Sequence, residues 1–211
     1  MMDTTVKVSS IPEVERLEFF EKAHVYKLDG FEIPSVSEVM KPLSDARYSN
    51  IDVRTLNKAA DKGTAVHNAI ENWIKFGIED VPEQFDGYFE AFKKWWAESK
   101  PEAVGSEIRV CHKVMRYAGT VDLVAYVGER LTLVDYKSTA AISDMTCGVQ
   151  LEAYSRALED MGVKVERKMI LHLKSNGKYT VHEYQERDNA RWNVFASLKI
   201  VHDYIEMNRN T

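Results

Sequence analysis

The sequence predicts a layered α/β domain with helices on both faces of a sheet. Three observations predict it. Segments with helical spacing of apolar residues come first, then a three-strand meander, a helix, two more strands and a final helix. The meander is apolar on both faces, with Val121, Leu123, Ala125, Thr132 and Val134 on one and Val124, Tyr126, Leu131 and Leu133 on the other. Such a sheet needs cover on both sides. A chain of 211 residues is also long enough for one domain with a sizeable core.

Residues 1–22 are charged and only partly periodic. His24 to Pro34 alternates around Asp29-Gly30, a hairpin turn signal. Ser35 can cap a short helix, with Glu38 at the reciprocal capping-box position, and Pro42 is expected to end it. Asp52 to Lys62 reads as a helix stopped by Gly63. Thr64 can cap the next helix, whose apolar face is Val66, Ile70, Trp73 and Ile74 and which stops at Gly77. Pro82 opens another helix, closed by Pro101. Its stripe of Phe85, Tyr88, Phe89, Phe92, Trp95 and Trp96 has the spacing of core packing rather than of a base-stacking platform.

The meander strands are expected at Glu107 to Met115, 119–127 and 131–138. A helix over 144–160, a strand from Val165 to Leu173, a type I′ turn at Asn176-Gly177 and a strand over 179–184 follow. The last helix, 188–207, is amphipathic through Trp192, Phe195, Leu198, Val201 and Ile205. There is no internal repeat or low-complexity linker. Residues 1–50 read as a hairpin and short helix packed on the core, and 51–211 as the main domain.

Composition narrows the function classes. Hydrophobic residues make up 45% and charged residues 29%, which suits a globular protein. No apolar run has the length of a membrane span, and Met1–Thr5 lacks the pattern of a secretory leader. Cys111 and Cys147 are too few for a disulfide framework, so reduced thiols in a cytoplasmic protein are expected. A net charge of −5 excludes a generally basic nucleic-acid coat and leaves room for a local basic track.

The chemistry centres on Asp122, Asp135 and Lys137. A two-residue turn at Gly128-Glu129 pairs Val127 with Arg130, and the same register sets Asp122 opposite Asp135. Alternation puts Lys137 on the face of Asp135. Facing like charges are destabilising, so the pair implies a cation between them or, on the plainer reading, solvent-facing acids at strand ends. Lys137 favours the cation: two hard oxygen donors beside an ammonium suit Mg²⁺ or Mn²⁺ and phosphodiester hydrolysis.

Other residues add to this. His67 follows Gly63 within one turn, and Glu71 one turn later can fix its tautomer. A lone helical histidine is more often structural. Gln150 and Tyr154 share a helix face and either form a buried pair or contact a phosphate or the lysine. Arg54, Lys58 and Lys62 make a basic stripe, ordinarily a solvated face, and the best available DNA-backbone contacts in a nuclease.

Together these residues resemble the RecB-like branch of the PD-(D/E)XK nuclease superfamily, which includes phage and prophage exonucleases. The four parts are Gly63 to His67, Gly119 to Asp122, Asp135 to Lys137, and Gln150 to Tyr154, in the family order. Tyr26 to Val39 also resembles the opening segment of phage members. The resemblance implies an α/β/α sandwich with a mixed central sheet, a restriction-endonuclease-like core with extra helices. It implies metal ligation by His67, Asp122, Asp135 and the Tyr136 carbonyl, with Lys137 catalytic beside the two acids. Glu107 matches a recurrent acid, and Gln150 and Tyr154 would support the site or the DNA. One or two Mg²⁺ or Mn²⁺ ions are the implied cofactor. An iron–sulfur cluster is not expected, because the four cysteines some relatives carry are missing. The implied partner is DNA, single- or double-stranded and with a free end, in recombination, repair or phage-type processing. A recombination partner protein or a homo-oligomer is compatible with this, and a bacterial or phage-encoded source is implied. Three readings stay open: a metal-dependent exonuclease, an endonuclease, and a DNA-end- or partner-binding module that does not cut.

Overall fold

The computed structural model describes residues 7–209. The reading of Met1–Thr5 concerns residues outside that range. A small antiparallel sheet comes first: β1 (Leu17–Phe20), β2 (Val25–Leu28) and β3 (Phe31–Ile33), in that order. Asp29 (φ 56°) and Gly30 (φ 80°) turn the β2–β3 hairpin at the dipeptide that signalled it. Tyr26, Leu28 and Ile33 bury one face of this sheet against Cys111 and Ala118 of the main sheet. A bridge from Ser35 to Ala118 ties the two sheets together.

Ser35 caps α1 (Val36–Val39) with the reciprocal Glu38 bond in place. The chain then departs from expectation. Pro42 does not end a helix; it lies in the first turn of α2 (Lys41–Tyr48), where a missing N–H costs nothing. Gly63 stops nothing either. α3 is one helix from Val53 to Phe76, capped by Asp52 and ended by Gly77 in the left-handed conformation. An interior glycine costs only about 1 kcal/mol relative to alanine. The packed second half of α3, with Val66, Ala69 and Ile70 buried, carries the helix through. Thr64 is therefore an interior residue rather than a cap.

A 3-10 turn (Glu83–Phe85) leads into α4 (Asp86–Ser99), which starts later than Pro82 suggested. Its Phe89, Phe92 and Trp95 are buried core, as the stripe implied. The main sheet has the order β4-β5-β6-β7-β8: β4 (Glu102–His112), β5 (Tyr117–Val127), β6 (Arg130–Lys137), β7 (Arg167–Leu173) and β8 (Tyr179–Tyr184). β4 starts earlier than Glu107 and stops before Met115. The sheet is mixed: β4, β5 and β6 are antiparallel, β6 and β7 parallel, and β7 and β8 antiparallel. α5 (Asp144–Asp160) makes the crossover that parallel strands require, and α6 (Asn189–Met207) packs beside it. The β7–β8 turn is not type I′, because only Gly177, at φ 74°, takes a positive dihedral and Asn176 does not. Gly177 N–H instead donates to Lys174 O at 3.2 Å, a three-residue loop of type I geometry.

Helices cover both faces. Leu123, Ala125, Val134 and Tyr136 pack on α3 and α4, while Val124, Tyr126, Leu131 and Leu133 pack on α5 and α6. Val121 was expected beside Leu123 but lies in the opposite cluster. The alternation of β5 thus breaks at Asp122. Across the second face, buried Glu152 of α5 pairs with buried Lys168 of β7 and also accepts from Arg156 Nε at 2.8 Å and Asp188 N–H at 3.2 Å. A buried pair survives only when its hydrogen bonds are complete, and this one sets the height of α5 over the sheet. Among the described residues no helix is long and apolar enough to cross a membrane.

Gly87 of α4 faces the β7–β8 turn, where an added Cβ would come 1.8 Å from the Ser175 carbonyl oxygen. Alanine for glycine in an exposed helix stabilises. Here Gly87→Ala should destabilise by about 1–3 kcal/mol, read as a lower urea midpoint at unchanged slope.

Candidate active site

Register brings three carboxylates to one level of the sheet. Leu123 pairs with Val134, which leaves Asp122 beside Asp135 on the next strand. Ser106 pairs with Leu123 and Ile108 with Val121, which leaves Glu107 beside Asp122 on the other side. The β4–β5 ladder is interrupted at this level, and the β5–β6 ladder ends just before it. Asp122 Oδ2 instead accepts the Tyr136 N–H at 2.7 Å. Glu107 holds φ 51°, which a residue with a Cβ rarely adopts. Strain of this kind persists only where neighbours impose it.

α3 delivers His67 to these acids. Its Nδ1 lies 3.4 Å from Asp122 Oδ1 and 3.9 Å from Glu107 Oε1. Its Nε2–H donates to the Tyr136 carbonyl at 3.1 Å. A carbonyl can only accept, so Nε2 carries a proton, and the Asp122 carboxylate beside Nδ1 favours a second proton there. One ligand atom from each of His67, Glu107 and Asp122 lies within 4.8 Å of the others. Asp135 is not part of this trio; its Oδ2 lies 2.6 Å from Lys137 Nζ. Donors this close could hold a divalent cation between them, and the two carboxylates are the ligand type that Mg²⁺ and Mn²⁺ take.

The electrostatics follow from burial and proximity. Burial opposes charge on His67, but the Asp122 carboxylate outweighs it and holds the imidazole up at about 9. Burial and then the Asp122 charge push Glu107 up to about 8. Burial, eased by Lys137 and reinforced by Asp122, pushes Asp135 up to about 6. Asp122 is held below its usual range: burial works against this, and the His67 charge and hydrogen bond, Lys137 and the Tyr136 N–H prevail. Lys137 is raised, because Asp135 and Asp122 overcome its burial.

A cleft of about 870 Å³ opens over these groups, with His67, Glu107, Tyr136, Lys137 and Gln150 on its lining. Gln150 Nε2 donates to Tyr154 Oη at 3.4 Å, at the weak end of the range. The Tyr154 ring lies where a Cβ on Gly119 would stand, 2.6 Å from Tyr154 Cε1. The glycine of the G-x-x-D strand and the tyrosine of the Q-x-x-x-Y helix are thus one packing unit.

A family model described as the PD-(D/E)XK nuclease superfamily matches residues 75–199, more than half of the chain. The chain belongs to that superfamily. The matched span of this nuclease-family chain contains Glu107, Asp122, Asp135, Lys137, Gln150 and Tyr154; His67 lies before it. The chain is similar to the crystal structure of SSO0001 at 11% identity and TM-score 0.44, covering 83% of this chain and 76% of that one. It is similar to LHK-Exo in complex with dAMP at 10% identity and TM-score 0.43, covering 84% and 93%. For LHK-Exo described as an alkaline exonuclease from Laribacter hongkongensis, the values are 11%, 0.41, 82% and 90%. A search of curated protein sequences gave no match.

Not every expected residue reaches the cleft. Arg54 and Lys58 are exposed on the first half of α3. Lys62 turns to Tyr88, donating to its Oη at 3.3 Å with the ammonium 4.8 Å from the ring centroid. Sequence reasoning missed His172. It sits opposite Lys137 in the β6–β7 ladder, and its Nε2–H donates to the Thr139 carbonyl at 2.7 Å, holding the loop that follows the lysine. No local signal marks it, because parallel strand neighbours are distant in sequence.

The charge balance predicts a pH dependence. His67, Glu107 and Asp135 all bind protons more tightly folded than unfolded, where 6.5, 4.5 and 3.8 are their ordinary values. Each contributes stability that is complete below its unfolded value and lost as pH rises through its folded one. Asp122 has the opposite sign, but its window lies below 3.8. Urea midpoints in EDTA should therefore fall from about pH 5 to about pH 9, with a shallower fall in Glu107→Gln. A flat wild-type profile would contradict these proton positions.

Proposed function

We propose that this chain is a divalent-metal-dependent deoxyribonuclease that acts as an exonuclease on DNA with a free end. One observation carries the reading: His67, Glu107 and Asp122 converge within 4.8 Å beside the Lys137–Asp135 pair, and His67, Glu107 and Lys137 line an open cleft. Superfamily membership supports nuclease chemistry and a DNA substrate.

His67, Asp122 and Asp135, with the Tyr136 carbonyl and Glu107, would hold Mg²⁺ or Mn²⁺. The bound ion would polarise the phosphoryl oxygen and acidify water. Lys137 stays protonated between two acids, so it serves as a fixed positive charge for the transition state rather than as a base. Asp135 fixes the Lys137 ammonium at 2.6 Å. Gln150 and Tyr154 brace the wall of the site from α5. Residues 51–211 would form the nuclease domain, with 1–50 as an N-terminal addition packed on it. Processing of DNA ends in recombination or repair is the setting in which such an activity fits.

Lys137→Ala should lower cleavage of end-labelled linear DNA by about 10²–10³-fold while the circular dichroism spectrum is unchanged. EDTA should abolish wild-type cleavage; activity that survives it rules out the metal mechanism. Cutting of closed circular DNA would count against an exonuclease.

Metal uptake has a signature apart from activity. Ligands must lose protons to bind an ion, and His67 and Glu107 hold theirs at neutral pH. Titrating Mn²⁺ into weakly buffered protein at pH 7 should release protons, and Glu107→Gln should release fewer. No release on saturation would contradict the ligand set.

A further inference from the structure

The last helix, α6, is apolar on two opposite sides. On its inner side Trp192, Phe195 and Leu198 pack into the core cluster shared with α1 and α5. On its outer side, every exposed residue between Ala190 and Ile205 is uncharged. The charges of that stretch are held by partners instead. Arg191 Nη2 lies 2.6 Å from Asp144 Oδ2, and buried Lys199 sets its Nζ 2.5 Å from Asp203 Oδ2. A surface helix normally turns its charged face to water, and a helix that is apolar all round is normally buried all round.

The outer face is large. Val194, Ile200, Val201, Tyr204, Ile205 and Met207 are 42–79% exposed among the described residues. At ~150 Å² for a whole large side chain, they present roughly 500–600 Å². That is the top of the ~300–600 Å² range for the largest patch on a monomer. With Ala190, Asn193 and Ser197 beside them, it approaches the ~800 Å² that each partner brings to a standard interface.

The two halves of the face fit each other. Toward the N-terminus, Asn193, Val194, Ser197, Leu198 and Val201 line a shallow hollow of about 390 Å³. Toward the C-terminus, Ile200 and Tyr204 stand up from the helix, 67% and 70% exposed. Ser197 and Tyr204 are about two helical turns apart and so lie on one line along α6. A hollow and a ridge on one surface meet each other when a second copy runs antiparallel about a two-fold axis. With the axis beside Ile200 and Val201, each Tyr204 faces the hollow at Ser197 of the other copy. Charge agrees with this occupant. A face without cations has nothing to hold phosphates, and one without acids lets two copies of a chain of net charge −5 meet.

We propose that the outer face of α6 is the interface of a two-fold homodimer, with the two α6 helices antiparallel and Tyr204 of each seated in the hollow of the other. α6 does not line the cleft, so this surface is separate from the candidate active site. The inference does not rest on the nuclease reading.

Sedimentation velocity of the full chain, without DNA or metal, tests it. Interfaces of standard size bind at micromolar affinity or tighter, so about 1–100 µM protein covers the range. Wild type should reach the mass of two chains within it. Tyr204→Lys, which would bury an unpaired charge in each hollow, should weaken association by at least about 100-fold and leave a single chain throughout. Ser197→Trp, which fills the hollow, should also weaken it. Both variants should keep the wild-type circular dichroism spectrum, because the two residues are exposed. Phe76→Lys, at an exposed residue that ends α3 on the other side of the sheet, should dimerise as wild type does. A single chain at every wild-type concentration overturns the proposal, as does an assembly of more than two chains. Unchanged association in Tyr204→Lys or Ser197→Trp with an intact fold overturns it too. A monomer that cleaves DNA leaves the nuclease reading standing without the dimer, and a Tyr204-dependent dimer that does not cleave does the reverse.

Discussion

Mutual repulsion among buried carboxylates is the constraint on which this structure depends. Glu107, Asp122 and Asp135 stand at one level on three neighbouring strands, and Asp122 and Asp135 are almost wholly buried. Isolated buried charges are prohibitively costly, so such groups must be paired, hydrogen-bonded or protonated. All three solutions are present. Asp122 takes the His67 imidazolium and the Tyr136 N–H, Asp135 takes Lys137, and Glu107 keeps its proton through burial beside Asp122.

The rest of the fold serves that balance. α3 has to be continuous through Gly63 for His67 to stand on a rigid helix rather than at a frayed start. α5 must sit at a definite height for Tyr154 to fill the space beside Gly119, and the Glu152–Lys168 pair with its extra donors sets that height. The break in the β4–β5 ladder and the end of the β5–β6 ladder at Asp122 free the backbone there, and the Asp122 carboxylate supplies the acceptor that the ladder lacks. Backbone irregularity and electrostatic need coincide at one residue, as expected where function rather than stability sets the local geometry.

Lys137 is the one ammonium among the described residues on the cleft lining, where Glu107 stands with it, and Asp122 and Asp135 are buried behind them. An anionic ligand would meet a field set mostly by acids unless a cation offsets them.

Much of this was legible in the chain. The Gly128 turn and strand alternation determined the β5–β6 register, because a side-chain period of two leaves no freedom once the turn is set. The Ser35–Glu38 capping box, the aromatic core stripe of α4 and the bounds of α5 are likewise local, short-range physics. Asp122, Asp135 and Lys137 could be read as neighbours for that reason. Tertiary structure alone decided the rest. Whether Gly63 interrupts a helix depended on packing two turns away, which outweighs a propensity of about 1 kcal/mol. Glu107 joined His67 and Asp122 through a third strand whose register follows a bulge near Gly105. His172 met the loop after Lys137 through a parallel pairing set by a helix crossover. Contacts closed by long loops leave no periodic trace in sequence, so the facing acids were readable from spacing, His67 and Glu107 only through the family resemblance, and His172 not at all.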